Sequence, residues 1–126
     1  MHVLTVEEVK DLIERVSSPH STGIVHQIVP AESRRDIAVV WRHSGERPTN
    51  GRDTFYLAWK KPPGRLLAVE LLSTPCQGTP CGNGCFFAVE DGVLVIEIGL
   101  FFLHLGYQKQ VFRTPLARLG LRNAGA

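Results

Sequence analysis

The spacing of apolar positions changes once along the chain. Between Val6 and Val16, the apolar residues Val6, Val9, Leu12, Ile13 and Val16 recur at helical spacing, while Glu7, Lys10, Asp11, Glu14 and Arg15 occupy the opposite side. Thr5 is placed to cap this helix, Glu8 stands where a capping box needs an acid, and Leu4 with Val9 makes the hydrophobic staple pair. Pro19 cannot continue the helical ladder and biases Ser18 away from helical angles, so the helix is expected to end near Ser17 and Ser18.

Beyond that point the pattern turns to short β-branched and aromatic runs separated by turn residues. Strands are expected over residues 24–29, 37–42, 54–60, 65–72, 85–90 and 93–98. Lys61-Pro62-Pro63-Gly64 suits a hairpin connection, and Asp91-Gly92 supplies the positive backbone angles of a two-residue turn. A tight turn there sets Val89 opposite Leu94 and Phe87 opposite Ile96 on an apolar side, with Glu90 and Glu97 on the other. Residues 100–105 are too few for their period to separate a buried strand from a buried helix, and strand is preferred. Thr114-Pro115 reads as a cap followed by a first-turn proline, opening a short helix with Leu116, Leu119 and Leu121 inward and a frayed tail over residues 122–126.

Residues 44–53 hold two glycines, Pro48 and Asn50 with almost nothing apolar, and read as an exposed loop. The expected architecture is one α+β domain over residues 1–126. Its capped N-terminal helix packs on a mainly antiparallel sheet of about five to seven short strands, and a short helix closes the chain.

Composition adds limits more than identity. The 126 residues suffice for one core and not two; 44% are hydrophobic and 21% charged, which fits a globular protein. The net charge is only +2 with cations dispersed among carboxylates, so nucleic acid is possible as a partner but not indicated. The first sixteen residues lack the apolar stretch of a signal peptide. Residues 86–105, the most apolar region, carry Glu90, Asp91 and Glu97 and are broken by Gly92 and Gly99, which excludes a bilayer helix. A cytoplasmic location away from membranes is the expectation.

Three side-chain sets could carry chemistry. Cys76, Cys81 and Cys85 fall within ten residues and could join His104 around zinc, but they are separated by four and three residues where a zinc knuckle uses two. A disulfide between two of them, plain thiols, or a nucleophilic Cys85 near His104 remain alternatives. His104, Tyr107, Lys109 and Arg113 could perform acid–base chemistry on a phosphodiester or bind RNA, with solvated cations at a strand end as the simpler reading. Trp41, Arg42, Tyr56, Trp59, Lys60 and Lys61 interleave aromatics with cations as a single-strand nucleic-acid platform would. Strict alternation over residues 54–60 instead puts Phe55, Leu57 and Trp59 on one face and Tyr56, Ala58 and Lys60 on the other, which makes Trp59 a core residue. No phosphate-binding glycine loop, paired-His helix motif or nucleophile elbow is present.

The stretch from His2 to Val16, with its Thr5-Val-Glu-Glu-Val opening, followed by strands and a hairpin, resembles the beginning of small immunity proteins that neutralise bacterial polymorphic toxins. The likeness covers the first third of the chain. It implies a non-enzymatic protein that occludes a protein partner and needs neither cofactor nor catalytic set. The loop over residues 44–53 and the cysteine loop are then the expected contact surfaces.

Overall fold

The computed structural model describes residues 3–16, 25–30, 34–44, 51–75, 84–102 and 106–122. Helix α1 runs over Val6–Val16 and starts as its sequence requires. The Thr5 amide donates to Glu8 Oε1 at 2.7 Å and the Glu8 amide donates to Thr5 Oγ1 at 3.3 Å, closing the capping box. Leu4 and Val9 meet in one apolar cluster, completing the staple. The expected stop at Ser17 and Ser18 lies outside the described residues.

Among the described residues seven antiparallel strands follow, and they form two sheets where one was expected. The first sheet holds β1 (Val25–Pro30), β2 (Ile37–Ser44), β3 (Arg52–Lys61) and β4 (Arg65–Pro75) in sequence order. The second holds β5 (Gly84–Glu90), β6 (Val93–Phe102) and β7 (Gly106–Pro115). Ile37, Val39, Phe55 and Leu57 of the first sheet pack against Leu94, Ile96, Ile98 and Leu100 of the second in one cluster. On the far side of the first sheet, Val40, Tyr56 and Ala58 pack under Val9 and Ile13 of α1. The layers are therefore helix, four-stranded sheet and three-stranded sheet. The alternation in β3 explains this: both of its parities are apolar, so both faces need a cover.

Asp91 (φ 51) and Gly92 (φ 76) form the expected two-residue turn, with Phe87 opposite Ile96 and Val89 opposite Leu94. Gly99 does not end β6, which runs on through Leu100 to Phe102; residues 103–105 lie outside the described residues. The next strand, β7, was not anticipated as an element.

Thr114 does not cap the last element. Pro115 occupies the cap position in extended conformation without a side-chain cap, and Leu116–Leu119 form a single 3₁₀ turn. Its Leu116 and Leu119, with Leu121, are buried as expected. The Leu116 amide donates to the Gly92 carbonyl at 2.9 Å, and Trp59 Nε1 donates to the Leu119 carbonyl at 2.9 Å, so both sheets hold the turn.

Ionic contacts tie the elements together, among them Arg42 Nε of β2, 3.6 Å from Glu14 Oε1 of α1. Arg34, buried, grips Asp36 in a two-pronged fork at 2.9 and 2.8 Å and donates to the Arg122 carbonyl at 2.7 Å. The hydrogen bonds to Asp36 raise the affinity of the Arg34 guanidinium for its proton, so this cation persists at all working pH. Lys60 Nζ lies 2.9 Å from Glu8 Oε2, tying β3 to the helix start.

Candidate functional site

Strand register fixes which way each β7 side chain points. The buried Ile96, Ile98 and Leu100 stand opposite Phe112, Gln110 and Gln108, so the even positions of β7 face the core side. Tyr107, Lys109, Val111 and Arg113 consequently share the outer face. Phe112 packs against the core, but Gln108 and Gln110 are exposed despite their inward parity. From Tyr107 to Val111 the strand is open on both sides.

The outer face has a definite chemistry. Tyr107 is 63% exposed and Val111 37%. The Tyr107 ring lies over Gly99 of β6: a Cβ placed there would meet the hydroxyl and come within 2.6 Å of Cζ. Gly99 stands directly across from Lys109, and Tyr107 from Phe101, so the ring reaches diagonally back over the bare backbone. Lys109 Nζ sits 3.6 Å from Glu97 Oε1, a half-exposed pair that water screens strongly. Arg113 is exposed opposite Val95. The result is an aromatic platform, an aliphatic centre and two cations in a row. The corresponding outer face of the four-stranded sheet lies under α1, whereas Tyr107, Lys109, Val111 and Arg113 on this one are exposed.

Of the set His104, Tyr107, Lys109 and Arg113, the structure therefore brings three together on one open face, while His104 lies outside the described residues. Cys76 and Cys81 also lie outside them, and Cys85 is placed only by register, opposite Ile98 on β5. Among the described residues no three His, Cys, Asp or Glu side chains gather as a metal site would require. The third set does not share an exposed face. Trp41 and Trp59 pack against the sandwich core, Arg42 and Tyr56 are buried, and Lys60 is held by Glu8; Lys61 is exposed beside Gly120. The division of β3 into Phe55, Leu57, Trp59 and Tyr56, Ala58, Lys60 is as its alternation predicts.

The loop expected over residues 44–53 is shorter than its polar composition suggested. Ser44 belongs to β2, and Arg52 and Asp53 belong to β3; residues 45–50 lie outside the described residues. Asp53 is fully buried, with its Oδ1 2.8 Å from Nδ1 of His43, itself 4% exposed. Thr74 stands beside Asp53 on β4. A His–Asp dyad that performs proton transfer needs an imidazole face open to substrate. Burial of both partners makes this pair a cross-strand tie. Sequence reasoning missed it, although continuing the inward parity of Ile37, Val39 and Trp41 by one step reaches His43, and stepping back from Phe55 reaches Asp53.

One concavity is formed where the helix start meets β2, a cleft of about 300 Å³ walled by Val3, Leu4, Val6, Val9, Ile37 and Ala38. Its lining is mainly apolar, with Thr5 and Arg35 the polar residues in its wall. No described helix is long and apolar enough to cross a membrane. No protein-family model matches the chain, and neither a curated protein nor a solved structure matches it.

Proposed function

We propose that the chain is a non-enzymatic interaction protein that binds and occludes a protein partner, in the manner of toxin-neutralising immunity proteins. The observation that carries this reading is the outer face of β7, where exposed Tyr107 and Val111 alternate with Lys109 and Arg113. Tyr and Arg are the side chains that most often dominate protein interfaces, because each joins a large contact area to directional hydrogen bonds. A sheet face holds them at fixed spacing, which lowers the ordering cost of association. The expected contact surface thereby moves from the two polar loops to this face.

Purification of the intact protein from its own host followed by native mass spectrometry tests the proposal. A stoichiometric protein partner whose binding weakens at least tenfold in Tyr107→Ala and Arg113→Ala supports it. A second reading has one observation in its favour: Tyr107, Lys109 and Arg113 share an exposed face, as a base-stacking platform with phosphate contacts would. Co-purifying RNA, with binding that falls steeply as salt rises, replaces the first reading by the second.

A further inference from the structure

β7 is built unlike the other strands that end a sheet. Terminal strands leave a row of backbone N–H and C=O groups unpaired, and proteins blunt them by shortness, bulges or proline. β1 has six residues and ends in Pro30, and β5 has seven. β4 is longer, but a register shift at Phe55/Tyr56 breaks its pairing with β3. β7 has ten residues, pairs with β6 in unbroken register from Val93↔Pro115 to Phe102↔Gly106, and has its only proline at the end. Among the described residues no strand pairs with its other edge. Alternate residues of a regular antiparallel strand aim both backbone groups outward. The even positions of β7 turn theirs to β6, so Tyr107, Lys109, Val111 and Arg113 present donor and acceptor to a new neighbour and Pro115 a carbonyl alone.

The charge on this strand is one-signed. Gly106–Pro115 carries Lys109 and Arg113 and no carboxylate. The two cations lie four residues apart on one face with Val111 between them, a separation of about 13 Å along the strand. Lys109 is shared with Glu97 only through an exposed contact of 3.6 Å.

We infer that the edge of β7 receives an extended acidic segment of the protein partner as an added strand. This deepens the occlusion reading and rests on it. The segment it fits carries two carboxylates four residues apart with an apolar residue midway, so that carboxylate, aliphatic and carboxylate stand beside Lys109, Val111 and Arg113. Backbone hydrogen bonds supply the docking, and cross-strand charge pairs supply register and choice of partner. Tyr107 extends the same face for an aromatic or β-branched neighbour.

The test uses the full chain, isotope-labelled, titrated with a blocked Thr-Val-Thr-Glu-Thr-Val-Thr-Glu-Thr-Val peptide and followed by amide chemical shifts and hydrogen exchange. Alternate β7 amides gain protection, and replacing both peptide glutamates by lysine weakens binding about tenfold. The exposed double variant Lys109→Glu/Arg113→Glu reverses that preference, with an unchanged melting curve as the check on folding. Absence of binding, shifts spread over the face without alternating protection, or indifference to peptide charge overturns the inference. If a captured protein partner binds the double variant undiminished and leaves β7 amides unprotected, strand addition fails while occlusion stands. If the peptide protects β7 but the host protein carries no partner, the occlusion reading fails.

Discussion

His43 Nδ1 lies 2.8 Å from Asp53 Oδ1 across neighbouring strands β2 and β3, with both side chains buried at one end of the sandwich. Removing one member of a buried polar pair leaves the other with an uncompensated desolvation cost. Asp53→Ala is therefore expected to destabilise the protein by about 2–4 kcal/mol in urea unfolding. The double variant His43→Leu/Asp53→Leu should lose clearly less than the sum of the single variants. Additive losses in that cycle would show that the two residues do not act as a unit.

Helix α1 has an acid-sensitive start. Glu8 is held below the ordinary glutamate range first by its hydrogen bond from Lys60 and then by the Thr5 amide. A lowered folded pKa means that the stabilisation is fully present above the ordinary glutamate value of about 4.3 and is lost as pH falls through the folded value. Wild type should accordingly exceed Glu8→Gln in stability at neutral pH and converge with it in acid. Thr5→Ala removes the reciprocal acceptor and should cost about 1 kcal/mol at neutral pH. A pH-independent gap between wild type and Glu8→Gln would contradict this account of the cap.

The capping box and the Asp91-Gly92 turn were legible because each signal is complete within a few residues. The division into two sheets was not: alternation assigns a side chain to a face and says nothing of what covers that face. Only the apolar character of both parities from Phe55 to Trp59 hinted at two covers. β7 escaped for the opposite reason. Gly106–Val111 buries neither side deeply, so no burial imposed a period on its sequence. Tyr107, Lys109 and Arg113 were legible as residues with chemistry, but their common face emerged only from the strand. The polar content of residues 44–53 concealed Asp53, whose burial depends on His43 across the sheet.

Trp59 joins the first sheet to the Leu116–Leu119 turn through its Nε1 hydrogen bond to the Leu119 carbonyl. Trp59→Phe keeps most of the apolar contact and removes the donor, so a loss of about 1 kcal/mol is expected. The loss should be local before it is global. Hydrogen exchange should quicken first at the Gly120 and Leu121 amides, which donate to the Ala117 and Leu116 carbonyls. Uniform acceleration across both sheets would instead make Trp59 a general core residue.

The placement of Tyr107 over Gly99 makes a separable prediction about the proposed interface. Gly99 has no left-handed backbone angle to protect, so its lack of a side chain matters for the room it gives the ring. In Gly99→Ala the new methyl group would sit within 2.6 Å of Tyr107 Cζ and 2.8 Å of Cε2. The ring is the free end of an exposed side chain and can swing away, so stability should fall by less than about 1 kcal/mol. The ring-current shift of the Gly99 α-protons in wild type should vanish in Tyr107→Leu, which fixes the ring's position independently. Partner binding should weaken in Gly99→Ala and Tyr107→Leu alike if the flat ring is the contact. If Gly99→Ala binds as wild type does while Tyr107→Leu does not, the aromatic group is needed but its seat on Gly99 is not.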